Sequence, residues 1–291
     1  VIADDIENPY FAEFFKAIYT AVGDPTLMPM LLSSDGSVKR QSRLLQNLGD
    51  LGCAGAILVP ANGSGQETLD LIKTLQMPVV LGNRHLGFGA FDYVGPNFFQ
   101  GMQMATQHLL DLGHRRLAFV GGESQNTAYT ERLGGFRVTI SNAAAKDVQV
   151  SEIQGPPTHQ FGVESMSAMI AMQHPPTAII AYNDLLAFGL MSGARDAGLT
   201  PGKDIAIVGF DDVRGAAQRN VPLTTVSTPP SRIGLEAARL LKARIDDASA
   251  EPVNIIPPPV LMIRQSCGAP GALTDMPASV SGLQDHDNRS N

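Results

Sequence analysis

An α/β fold with two lobes of parallel sheet is what this sequence predicts, and three observations lead there. Short, nearly unbroken apolar runs such as "GAILVP" (55–60), "TAIIAY" (177–182) and "DIAIVGF" (204–210) recur along the chain. Amphipathic stretches of helical period separate them, and strands apolar on both faces belong in parallel sheets covered by helices on each side. At 291 residues, the chain more naturally fills two lobes than one core.

Each element follows from local pattern. "VIA" opens the chain as a strand, and "NPYFAEFFKAIYTAVG" is a helix with Asn8 as cap and Pro9 at its first position. Phe11, Phe14, Phe15, Ile18 and Val22 form its apolar stripe, and Gly23 stops it. "LMPMLL" (27–32) reads as a strand in spite of Pro29, which places it at an edge or a bulge. A helix over "SVKRQSRLLQNLGDLG" follows, then a strand at 55–60, a helix at 65–75, a strand at 77–83 and a helix at 97–112 ended by Gly113. Strands at 115–122, 148–153, 177–182 and 204–210 continue the series, with helices near 129–145, 160–173, 184–197 and 230–247. The end of the chain, from 269 to 291, has no period and is expected to be an irregular tail without a core of its own.

Charge and composition exclude several classes of function. The formal net charge is −7, and the densest basic group is Lys39, Arg40 and Arg43, so this segment lacks the basic face of a nucleic-acid binder. No apolar run approaches the ~18 residues of a membrane span. Cys53 and Cys267 are read as buried, reduced, structural thiols, and two cysteines cannot build a Cys-rich metal site. "GESQN" (122–126) and "NGSGQ" (62–66) fail as nucleophile elbows, and "GFGAFD" (87–92) lacks the third glycine of a dinucleotide fingerprint. The six histidines show no spacing suited to a metal. No enzyme, no cofactor and no metal are expected.

Polar residues at strand ends remain. In parallel α/β sheets, ligands bind outside the carboxyl ends of the strands, where Asn183 and Asp184 follow "AIIAY" and Asp211 and Asp212 follow "AIVGF". Singly, Asn183 reads as a helix cap, the aspartates as turn formers and Arg132 as an exposed helical charge. Together they suit a polyol: carboxylates accept from hydroxyls, an amide does both jobs, and a guanidinium donates in a fixed fork. Tyr10, Phe11 and Tyr182 are available as an apolar wall.

Seven segments in order and spacing, "NPYFAEFF", "GHRRLAFVGG", "ERLGGFR", "PTAIIAYNDLLAFG", "DIAIVGFDD", "PLTTVSTP" and "PPPVLMIRQSC", resemble the regulatory core of lac-repressor-type (LacI/GalR) transcription regulators. The resemblance runs from Val1 to about Cys267. It implies two Rossmann-like lobes of periplasmic-binding-protein type I, joined by three crossovers. The N-terminal lobe would take 1–95 and 228–257, and the C-terminal lobe 96–227 and 258–268. It also implies a small sugar-like effector in the cleft and a cytoplasmic homodimer. Operator DNA would be bound through a helix-turn-helix domain upstream of residue 1, and there is no membrane partner. Carried over by position, the expected effector-binding residues are Tyr10, Phe11, Asn83, Arg132, Asn183, Asp211 and Thr228. Of the pair at the strand end, Asn183 is expected to face the ligand and Asp184 to serve the helix N-terminus. Arg132 is expected to be a cleft donor that contributes no core volume. Two departures stand out: Asn83 where relatives often have an acid, and "GPP" (155–157) in place of an acid and an aromatic ring, with Gln125 and Asn126 as compensating amides. A periplasmic sugar-binding protein of a transport system is the alternative, sharing the fold and cleft.

Overall fold

The computed structural model describes residues 1–143 and 147–269, so all of the expected tail but Ala269 lies outside the described residues. The chain opens with β1 (Ile2–Ala3), α1 (Pro9–Val22), β2 (Leu32–Ser33), α2 (Val38–Asp50), β3 (Ala56–Leu58), α3 (Gln66–Thr74), β4 (Val79–Gly82) and β5 (Tyr93–Val94). It continues through α4 (Phe98–Asp111), β6 (Arg116–Val120), α5 (Thr127–Asn142), β7 (Gln149–Ile153), α6 (His159–Ile170) and β8 (Ala178–Ala181). Next come α7 (Asp184–Asp196), β9 (Ala206–Asp211) and β10 (Thr224–Ser227), then α8 (Pro230–Asp246), β11 (Asn254–Ile255) and β12 (Val260–Met262).

These strands form two six-stranded sheets, ordered β11-β5-β4-β3-β1-β2 and β12-β10-β9-β8-β6-β7. The chain therefore passes between lobes three times, before α4, before α8 and between β11 and β12. Every pairing is parallel except β10 with β12, an antiparallel edge that the alternation of strand and helix did not indicate. Parallel pairing puts the carboxyl ends of neighbouring strands at the same edge of each sheet, which gathers the polar residues of the cleft.

The local chemistry of the helices is plain. Asn8 Oδ1 accepts from Tyr10 N at the start of α1, and Gly23 ends it with φ of 56°. Phe14 and Ile18 are buried there, against α8. In the second lobe α6 and α7 approach so closely that a Cβ on Gly189 would lie 1.9 Å from the carbonyl oxygen of His159. Only glycine permits that contact.

Four sequence expectations need correction. Residues 27–31 are not strand; only Leu32–Ser33 pairs with β1, since Pro29 has no N–H to donate. The strands β5, β10, β11 and β12 went unrecognised. Three of these span two or three residues, too few to show a period, and β10 carries two threonines that blunt its apolar signal. In addition, β7 is largely solvent-facing, as its edge position allows. Finally, the expectation of two buried thiols is met for Cys267 but not for Cys53, which is half-buried.

Candidate functional site

The cleft is assembled from strand ends of both sheets. Asp4 and Asp5 follow β1, Asn83 and Arg84 follow β4, Tyr182 and Asn183 follow β8, and Asp211 ends β9. Asn83 (φ 60°), Asp211 (φ 115°) and Asp212 (φ 55°) hold positive φ. Non-glycine residues there cost of order 1–3 kcal/mol each, and such strain concentrates at functional sites.

Arg132 enters from α5 and is the centre of the site. Its Nη2 donates to Asp211 Oδ1 at 3.1 Å. Its guanidinium carbon lies 4.4 Å from the ring centre of Phe98, 4.2 Å from Tyr182 and 4.2 Å from Phe210. Only 3% of the residue is exposed. Arg132 lines the cleft as expected, but the expectation that it contributes no core volume is wrong: a three-ring cage packs around this cation, a favourable arrangement for a desolvated guanidinium. Burial pushes the Asp211 carboxyl up to about 6, against the opposing pull of Arg132 and Arg84.

A second ion pair faces it from the first lobe. Arg84 Nη1 reaches Asp4 Oδ2 at 2.8 Å, and also donates to Pro60 O and Asn62 Oδ1. Asp4 is raised by burial, with Asp5 and Glu123 adding to the effect and Arg84 opposing it. Neither Asp4 nor Arg84 was singled out from sequence. The signal was available for Asp4, since "DD" after the apolar "VIA" repeats the "DD" after "AIVGF".

Two connected spaces lie between the lobes. The inner chamber, about 50 Å³, is lined by Tyr10, Phe11, Asn83, Arg132, Asn183 and Asp211, together with Asp4, Arg84 and Pro157. That volume holds only a few waters. The outer vestibule, about 510 Å³, is bounded by Asp4, Asp5, Glu123, Asn126, Pro157 and Tyr182 among others, and falls in the usual size range of ligand pockets. Thr228 does not line either space; it is buried, with its hydroxyl beside that of Tyr10. Gln125 offers its backbone carbonyl, not its amide, to Gly63 N at 2.8 Å.

Asn183 and Asp184 both belong to the start of α7, and of the two Asn183 borders the cleft. Asn183 Oδ1 caps α7 by accepting from Leu186 N at 2.9 Å, although the residue also borders the chamber. Asp184 turns away from the cleft: Thr225 Oγ1 donates to its Oδ1 at 2.5 Å and Val213 N to its Oδ2 at 2.8 Å. It thus ties the turn after β8 to the segments around β9 and β10. Full burial, with Asp211 nearby, raises its carboxyl well above the usual range.

Hydrogen bonds from lobe to lobe close one side of the vestibule. Asn62 Nδ2 donates to Glu123 Oε2 at 2.6 Å, Asn126 Nδ2 to Asn62 Oδ1 at 2.9 Å and Thr127 Oγ1 to His85 O at 3.1 Å. His85 Nε2 meets Glu131 Oε1 at 2.7 Å, while its Nδ1 accepts from Gly87 N. With Nδ1 accepting, the neutral ring donates through Nε2. In contrast to this shared clasp, three residues that line the inner chamber each carry a buried polar atom without a hydrogen-bond partner: Asp4 Oδ1, Arg84 Nε and Arg132 Nε.

Two α/β lobes with a polar cleft between their strand ends define an effector-binding unit of the periplasmic-binding-protein type. The Periplasmic binding protein-like domain family matches residues 106–267. The HTH-type transcriptional repressor PurR of Photobacterium profundum is 30% identical over 260 residues, which cover 89% of this chain and 78% of that protein. The regulator DegA of Bacillus subtilis is 28% identical over 268 residues, 91% of this chain and 79% of DegA. Among solved structures, a LacI family regulator from Enterococcus faecium with bound ribose superposes with a TM-score of 0.83 at 25% identity, covering 91% of this chain and 96% of that one. A CelR–cellobiose complex does so with a TM-score of 0.79 at 27% identity, covering 91% and 83%. The chain belongs to the LacI family of transcriptional regulators, as its effector-binding core. No helix among the described residues is long and apolar enough to cross a membrane.

Proposed function

We propose that the cleft binds a small hydroxyl-bearing molecule, a sugar or sugar derivative, and that its occupancy sets the tilt between the lobes. The observation that carries this reading is that Asp4, Arg84 and Arg132, residues of both lobes that line one chamber, each hold a buried polar atom without a partner. An unmade hydrogen bond at a buried group costs about 1–3 kcal/mol, so these atoms favour a ligand that satisfies them. By contrast, a cavity of about 560 Å³ at the far edge of the first sheet has its arginine, Arg244, already paired with Asp92.

The inner chamber is too small for a saccharide as it stands. A ligand that reaches Arg132 and Asp211 from the vestibule must part the lobes or loosen the clasp between Asn62, Glu123 and Asn126. It then holds different affinities for two lobe arrangements, the requirement for shifting an equilibrium between them. The ribose and cellobiose carried by the two solved relatives are consistent with a saccharide of this size. Tyr10, Phe11, Asn83, Arg132, Asn183 and Asp211 are the ligand-facing residues in this reading.

The protein acts as a sensor and not an enzyme, as a cytoplasmic homodimer whose lobe tilt controls operator binding by attached DNA-reading helices. The exposed Met28 and Met30 beside β2 offer an apolar edge for the partner copy. Sedimentation velocity is expected to give twice the 30.9 kDa of one chain; a monomer at all concentrations would refute the dimer. For the effector, a thermal-shift panel of neutral sugars, sugar phosphates, amino sugars and nucleobases is the test. A true effector at 100 times its Kd adds about 2.7 kcal/mol to the native state. No shift with any compound, or a shift unchanged by Asp211→Asn, would sink the cleft assignment.

A further inference from the structure

The vestibule carries an unbalanced charge. Five carboxylates line it, those of Asp4, Asp5, Glu7, Asp35 and Glu123, and Arg84 is the basic residue among them. Arg40 reaches Asp35 from outside. Five acids against two guanidiniums leave a formal excess of three negative charges at the entrance. The acids alone would describe any solvated rim.

Asp4 makes the difference. It is 6% exposed and borders both the vestibule and the inner chamber. Arg84 occupies its Oδ2, while its Oδ1 has no hydrogen-bond partner. A buried carboxylate oxygen with an open lone pair, surrounded by further acids, calls for a donor that also brings positive charge. Burial, Asp5 and Glu123 all press Asp4 toward its neutral form, and a cation from outside would relieve that pressure.

The nature of the cation can be narrowed. Among the described residues no three His, Cys, Asp or Glu side chains gather closely enough to hold a metal ion. The acids are spread along the vestibule, which suits a larger organic ligand with its charge at one end. Arg132 does not repel it strongly, being answered by Asp211 and covered by three rings. A phosphorylated ligand meets the opposite situation: its charge faces the acidic rim.

We propose that the effector is an amine-bearing polyhydroxy compound, an amino sugar in its simplest form, whose ammonium group docks on Asp4 Oδ1 beneath the acidic rim while its hydroxyls point toward Asp211 and Arg132. This rests on the cleft being the effector site. A neutral sugar would use the same acceptors but leave the excess charge unanswered, and a sugar phosphate would be rejected.

Matched sets test this on the chain as it stands: glucosamine, glucose and glucose 6-phosphate, with the corresponding galactose and mannose sets. Binding is read by calorimetry at pH 6.5, where the amines are protonated. In at least one set the amine is expected to bind at least about tenfold tighter than its hydroxyl counterpart, the scale on which charge-assisted hydrogen bonds exceed neutral ones. Asp4→Asn should reduce that preference to within about threefold, and added salt should erode it. Glu7→Gln, at the exposed rim and outside the clasp, should lower it partially without touching the Asp4–Arg84 pair, which guards against a variant that merely misfolds. Tighter binding of the hydroxyl or phosphate member, a preference that survives Asp4→Asn, or no binding in any set would overturn the proposal. A neutral sugar that binds and is lost with Asp211→Asn would overturn the cationic ligand and leave the cleft assignment standing.

Discussion

Arg132→Ala is expected to destabilise the protein by about 3–5 kcal/mol, the cost of breaking a buried ion pair from one side. Two losses combine. The cage of Phe98, Tyr182 and Phe210 is emptied, and Asp211 keeps its burial without its cation. Equilibrium urea unfolding measures the effect, and ligand binding should disappear with it. Replacing both partners distinguishes the pair from the packing. Arg132→Met combined with Asp211→Asn fills the cage with an apolar chain and leaves no charge, and should recover most of the lost stability. A loss below about 1 kcal/mol for Arg132→Ala, the scale of an exposed ion pair, would show that the guanidinium is not enclosed.

The second large effect is a dependence on pH. Asp211 has a usual value of 3.8 and is held at about 6 in the fold. A carboxyl that keeps its proton more tightly folded than unfolded favours the native state at low pH. That advantage is present below pH 4 and is lost as pH rises through about 6, by about 3 kcal/mol in all. Asp211→Asn removes this titration, since the amide stays neutral throughout. The stability of the variant relative to the parent should therefore improve by about 2 kcal/mol between pH 4 and pH 7. Asp184 shifts in the same direction, so the comparison between parent and variant, and not the parent curve alone, reports on Asp211. A difference that stays flat over this range would mean that Asp211 is solvated.

Much of the fold was legible because local and tertiary signals agree. The cap at Asn8, the proline at position 9 and the glycine at 23 bound α1 in the structure as they do in the sequence. The runs "AILVP", "AIIA" and "AIVGF" could be read as strands because both of their faces are buried. What escaped notice was set by distant partners. The two-residue strand β11 exists because it docks beside β5, some 160 residues earlier in the chain. Arg84 becomes a cleft residue only when β3 places β1 and β4 on its two sides, bringing Asp4 within reach. The anchoring contacts of Asp184 were hidden for a similar reason. A cap is decided within four residues, but the carboxylate of Asp184 answers to Val213 and Thr225.

The three passages between lobes carry a consequence for synthesis on the ribosome. The first sheet ends in β11, and α1 is covered by α8, so neither is complete until residues 230–255 have been made. At 5–20 residues per second, roughly 8 to 30 seconds separate the emergence of β5 from that of its outer neighbour. During this interval the edge of β5 has no strand beside it, and Phe14 and Ile18 lack their cover. The second lobe's strands β6 to β10 emerge as one unbroken stretch within this interval, and that sheet then lacks only its edge strand β12. The half of the molecule that is translated first therefore waits for pieces made only after the whole of α4 to β10, and its earliest segment stays uncovered for that time.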